Sequence, residues 1–249
     1  MKKKPLFLVL LLPLLLAAAF LLYTGQYYHA ESAALSALES DETVRVTRMD
    51  YGWHFNGPSD ERALVFYPGA KVEETAYAPF LRLLAQQGMD VCLVRMPFRL
   101  AFFGINQAER VMAQHDYARW YAGGHSLGGA MAAAFAANRS DLDGVILCAA
   151  YPTKPLPTDM TEILLYGSQD LVLNRKNLEK GRQYAPARFV EHVIEGGNHA
   201  QFGCYGAQSG CYGAQSGDGK AAIPAQAQQE EAVRVILESL SPSLLSPAI

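Results

Sequence analysis

The sequence predicts an α/β domain in which a mostly parallel sheet is covered by helices on both faces. Short apolar runs of strand length alternate with helical segments from residue 63 to residue 240, the order that puts crossover helices between parallel strands. Of the 249 residues 50% are hydrophobic, enough for one substantial core, and α/β folds of this size are commonly a single domain. Midway, Gly124-His125-Ser126-Leu127-Gly128 joins the aromatic run Trp120-Tyr121-Ala122-Gly123 to a stretch of small, helix-favouring residues beginning at Gly129. Strand, sharp turn and helix follow one another there.

Lys2, Lys3 and Lys4 precede an uncharged, leucine- and alanine-rich run from Pro5 to Tyr23, ~28 Å long as a helix against a bilayer core of ~30 Å. Residues 1–25 read as one transmembrane helix. An uncleaved anchor is preferred to a signal peptide, because the run exceeds the usual ~7–15 apolar residues and Tyr28-His29-Ala30 is a poor small-x-small cleavage site. The lysines keep the N-terminus in the cytoplasm. The expected location is the cell membrane, single-pass, with the domain extracytoplasmic, and the alternative is secretion after cleavage. Residues 26–42 read as a linker or stalk, with Leu35 and Leu38 at helical spacing.

The domain itself, 43–249, opens with two antiparallel edge strands over 43–48 and 51–55, joined near Met49-Asp50. Strands are then expected over 63–67, 91–95, 119–123, 145–149, 162–166 and 189–194. Helices are expected over 75–87, 107–114, after Ser126, over 174–183 and over 226–240. Residues 203–209 and 210–216 are identical seven-residue copies, read as a lengthened loop and not as a stacked structural repeat.

Composition excludes several classes. A formal charge of −3, with no Lys/Arg cluster beyond the N-terminus, leaves no electrostatic footprint for nucleic acid. The four cysteines form no CxxC and no metal-ligand spacing, so no metal is expected. Cys92 and Cys148 sit in strand-like runs as small hydrophobes; Cys204 and Cys211 lie in the duplicated loop, where an oxidising compartment permits a disulfide.

Ser126 is the candidate nucleophile. A serine hydroxyl needs a base within reach and an acid to set that base's tautomer. Asp170 follows the strand-like Ile163-Leu164-Leu165-Tyr166, and His199 follows Val193-Ile194; both sit past strand ends, where open α/β sheets build their sites. His125 would point away across the turn and suits packing or support of the site from behind the triad, while His54, His115 and His192 read as partners of nearby carboxylates.

The chain order Ser126, Asp170, His199 resembles the α/β-hydrolase superfamily over residues 43 to 240. Within it the chain is similar to small, lid-poor bacterial hydrolases related to dienelactone hydrolases and carboxylesterases. The resemblance implies an eight-stranded, mostly parallel sheet, Ser126 as nucleophile, His199 as general base and acid, and Asp170 as its orienter. It also implies an oxyanion hole from the backbone N–H groups of Leu127 and Ala70, with Pro68 standing where the family has histidine. Residues 150–161 are too few for an inserted cap, and Phe98, Leu100, Phe102 and Phe103 offer an apolar wall. The expected activity is carboxylesterase-like cleavage of a small acyl substrate through an acyl-enzyme, without cofactor. A lactone, thioester or peptide hydrolase on the same triad stays open, and a non-catalytic surface binding module is disfavoured because all three residues are present.

Overall fold

The protein is described by a computed structural model that covers residues 4–206 and 215–241, with side chains from Leu11 onward. Its centre is an eight-stranded sheet in the order β1-β2-β4-β3-β5-β6-β7-β8. β1 (Arg45–Met49) and β2 (Gly52–Asn56) are antiparallel, and β2 lies antiparallel to β4 (Asp90–Val94). β3 (Arg62–Tyr67), β4, β5 (Arg119–His125), β6 (Gly144–Cys148), β7 (Thr161–Gly167) and β8 (Arg188–Ile194) are parallel.

Successive strand residues point to opposite faces, and here both faces are buried. Leu64, Phe66, Val91, Leu93, Ile163 and Leu165 enter one core, with α3 (Ala78–Gln86) and α7 (Ala225–Ser239). Ala63, Val65, Cys92, Val94, Leu147 and Leu164 enter the other, with α4 (Gln107–Met112), α5 (Leu127–Ala136) and α6 (Arg175–Gly181). This two-sided burial is why these strands read as unbroken apolar runs.

The helix expected over 75–87 is divided. A 3-10 turn, Glu74–Tyr77, precedes α3, and Pro79 sits in the first turn of α3, where its missing N–H breaks no helical bond. α6 starts one residue after Asn174, whose side chain caps it by accepting the Asn177 N–H at 3.0 Å.

The N-terminal helix α1 runs over Lys4–Gly25. Among the described residues no helix is long and apolar enough to cross a membrane, so the transmembrane helix expected over 1–25 lacks their support. α1 packs on the domain through Phe20, whose ring lies 5.1 Å from Phe98 and 5.8 Å from Phe103. The segment over 26–42 carries α2 (Ser32–Ser36) and is laced to the domain: Tyr28 N–H donates to Lys71 O (2.7 Å), and Glu31 N–H to Cys204 O (3.1 Å). Cys92 and Cys148 are free and buried, and Cys204 is disulfide-bonded. Cys211, with most of the second repeat copy, falls outside the described residues.

Candidate active site

β5 ends at His125 and α5 begins at Leu127, so the whole turn is made at Ser126. Its φ is 54° and ψ −125°, a conformation that non-glycine residues adopt only under strain. Two close approaches explain the flanking glycines. A Cβ on Gly124 would lie 2.4 Å from Tyr67 O, and one on Gly128 would lie 2.1 Å from Tyr67 O and 2.3 Å from Pro68 O. The end of β3 therefore presses on the turn from one side, while Ser126 N–H donates to Cys148 O of β6 at 2.9 Å from the other. Ser126 stays partly exposed at the start of α5, where free N–H groups and the helix dipole favour negative charge.

Asp170 lies in the loop after β7 and is 2% exposed. Its Oδ1 accepts the N–H groups of Val172 (2.9 Å) and Leu173 (2.8 Å), which fixes the carboxyl and aims Oδ2 at His199 Nδ1, 2.8 Å away. His199, 1% exposed, thus donates from Nδ1 and keeps its lone pair on Nε2. That Nε2 is buried and has no hydrogen-bond partner among the described residues. The structure brings Asp170 and His199 together; Ser126 follows His125, whose ring lies 4.6 Å from that of His199, but no hydrogen bond joins Ser126 Oγ to His199 Nε2 among the described residues.

The His199 loop is held from two sides. Asp218 accepts His199 N–H (3.2 Å) and Ala200 N–H (2.9 Å). Gln228 of α7 clamps Asn198 by accepting its N–H and donating to its carbonyl, each at 2.9 Å. Sequence reasoning passed over both residues. The available signal was Gln228-Gln229, two amides on the core-facing stripe of an amphipathic helix, where a buried polar group needs partners.

His125 takes the supporting role among the two expected of it. It is fully buried, with Nε2 3.0 Å from His199 O and Nδ1 2.8 Å from Tyr77 Oη. A carbonyl only accepts, so Nε2 carries the proton, Tyr77 O–H donates to Nδ1, and Tyr77 Oη accepts Gly69 N–H at 3.0 Å. One determined chain of bonds thereby links the Pro68-Gly69-Ala70 loop to the His199 backbone. Tyr77→Phe leaves two buried groups unpaired and is expected to destabilise the fold by ~2–4 kcal/mol in urea unfolding; an unchanged midpoint would refute this wiring.

Burial first, and His199 beside it second, hold the His125 pKa well below the ordinary 6.5. Burial lowers His54 and His115 as well. The unfolded chain takes up these protons below 6.5 and the folded chain does not. Stability is therefore full above that pH and falls as pH drops through it, by up to ~1.4 kcal/mol per unit for His125. Calorimetry from pH 7.5 to 5 is expected to show a falling Tm.

The other histidines are engaged elsewhere. His192 Nε2 meets Glu231 at 2.6 Å, His54 Nε2 meets Tyr117 Oη at 2.9 Å, and His115 Nε2 meets Tyr51 Oη at 2.9 Å, so His115 pairs with a phenol and not a carboxylate. Phe98, Phe102 and Phe103 are exposed and gather beside Phe20 of α1. Among the described residues no group of three or more His, Cys, Asp or Glu is placed to hold a metal ion.

Comparison with known proteins decides the family. The model of the alpha/beta hydrolase family matches residues 63–230, most of the chain. The chain belongs to the alpha/beta hydrolase family. This hydrolase is similar in structure to TT1662 from Thermus thermophilus, with 17% identity, a TM-score of 0.56, and coverage of 82% of this chain and 99% of that one. It is also similar to a predicted CIB-like hydrolase from Thermoplasma acidophilum, with 15% identity, a TM-score of 0.54, and coverage of 80% and 98%. At these identities the likeness speaks for the fold. No curated protein matches the sequence.

Proposed function

We propose that this family member is a serine hydrolase that cleaves an ester through an acyl-enzyme. The observation that carries the reading is the buried Nε2 of His199, which has no partner among the described residues and whose Nδ1 is held by Asp170, on the same sheet edge as the strained Ser126 turn. In this reading Ser126 Oγ attacks the acyl carbonyl while His199 Nε2 takes its proton, and Asp170 holds the tautomer and steadies the imidazolium. The N–H groups of Leu127 and Ala70 receive the oxyanion. His199 returns the proton to the departing alkoxide, and water then deacylates Ser126 by the same route.

Labelling by a fluorophosphonate probe, lost on heating and in Ser126→Ala, tests the nucleophile. An unlabelled folded protein would sink the reading. A panel of p-nitrophenyl esters, lactones, thioesters and aminoacyl amides then ranks the leaving group, with esters expected to lead.

We also propose that the chain is anchored in the cell membrane with the hydrolase domain outside. Lys2, Lys3 and Lys4 ahead of an uncharged segment support this orientation, and the leucines of α1 that remain exposed on the folded domain, such as Leu14 and Leu22, support contact with lipid. External protease is expected to digest the domain on intact cells. Recovery of a mature soluble form starting near Glu31 would overturn the anchor.

A further inference from the structure

Beside the loop that carries Ala70 lies a cavity of about 570 Å³ that contains none of Ser126, Asp170 and His199. Arg48 of β1, Trp53 of β2, Thr75 of the 3-10 turn, and Arg95 and Arg99 after β4 line it. Six buried side-chain polar atoms lack a hydrogen-bond partner among the described residues, and three of them, Trp53 Nε1, Thr75 Oγ1 and Arg99 Nε, belong to this lining. An indole N–H and a guanidinium N–H can only donate. All three atoms are themselves buried and lie behind the cavity surface, and the cations that face its space are the exposed Arg48 and Arg95 and the half-buried Arg99.

The charges favour an anion. Two carboxylates line the cavity, and both are engaged: Glu74 by Arg95 at 2.8 Å, and Glu73 by Ala30 N–H at 3.1 Å, with His29 at 3.4 Å. Arg48 and Arg99 have no acidic partner among the described residues. They lie over the rings of Trp53 (5.3 Å) and Tyr27 (3.4 Å) instead. Phe98 and Arg99 also carry positive φ, 54° and 57°, strain of the kind that collects where a chain is shaped around a ligand.

The cavity is wired to the oxyanion loop. Lys71, the residue after Ala70, donates its N–H to Arg99 O at 2.9 Å. Thr75 shares its turn with Tyr77, whose hydroxyl accepts Gly69 N–H.

We propose that this cavity binds an oxyanion, a carboxylate or phosphate carried by the acyl substrate away from the bond to be cleaved. The word substrate rests on the serine-hydrolase reading; the anion site itself does not.

Two measurements on the detergent-solubilised full chain separate these claims. Succinate or inorganic phosphate, against chloride at equal ionic strength, is expected to raise Tm by about 2 °C or more. The rise should appear equally in Ser126→Ala and be lost in Arg99→Gln. Arg48→Gln, on the exposed edge strand, is expected to weaken it and serves as the second variant if Arg99→Gln does not fold. No anion-dependent rise in the wild type, or a rise unchanged in the arginine variants, overturns the site. In kinetics, p-nitrophenyl hemisuccinate is expected to exceed p-nitrophenyl butyrate in kcat/KM by about tenfold, with the ratio collapsing in both arginine variants. Equal kcat/KM for the two esters overturns the substrate role. If the wild type cleaves neither ester, the serine-hydrolase reading fails while the thermal shift still judges the anion site.

Discussion

Ser126→Ala is expected to lower kcat for p-nitrophenyl ester hydrolysis by about 10⁴- to 10⁶-fold, since in the proposed mechanism nucleophile and base act as one unit and no other serine occupies that turn. The fold should survive. The backbone bonds that hold the turn, Ser126 N–H to Cys148 O and Ala130 N–H to Ser126 O, do not involve the hydroxyl. His199→Ala should cost activity to a similar degree but stability as well, because it leaves Asp170 Oδ2 buried and unpaired. Ser126→Ala is therefore the cleaner test, read as kcat together with an unchanged unfolding midpoint. More than about 1% residual turnover in a purified sample would remove Ser126 from the nucleophile's role.

Gly128→Ala is expected to destabilise the protein by ~3 kcal/mol or more, a fall in Tm of roughly 6–12 °C for a domain of this size. The new methyl would meet two backbone carbonyl oxygens, Tyr67 O and Pro68 O, at 2.1 and 2.3 Å. Neither belongs to a side chain that can swing away, so β3 and the start of α5 must separate. That separation moves the loop carrying Gly69 and Ala70, so hydrolysis should fall along with Tm. Gly25→Ala is the matched control, since a Cβ there meets nothing within 4 Å. Thermal unfolding of the two variants side by side decides the point, and a Gly128→Ala protein as stable as Gly25→Ala would show that the close approach is not real.

These expected effects also separate what local pattern reveals from what folding adds. The strand-turn-helix around Ser126 was readable because glycine, serine and small helical residues act within a few positions of one another. Asp170 and His199 were readable as loop residues just past strand ends. A supporting role for His125 was legible, but its partners were not: Tyr77 and His199 stand 48 and 74 residues away. Gln228, 30 residues from Asn198, is the same case.

The sequence by itself determined the alternation of strands and helices, the burial of the central strands on both faces and the place of the sharp turn, because periodicity and glycine chemistry are local properties of the chain. Only the tertiary structure decided that β4 lies between β2 and β3, that Asp170 faces His199 Nδ1, and that Tyr77 and His125 tie two loops together. It alone gathered Trp53, Thr75 and Arg99 around one cavity. Those outcomes depend on which distant segments share a sheet edge, and a buried polar atom acquires its partner, or lacks one, only once that edge is assembled.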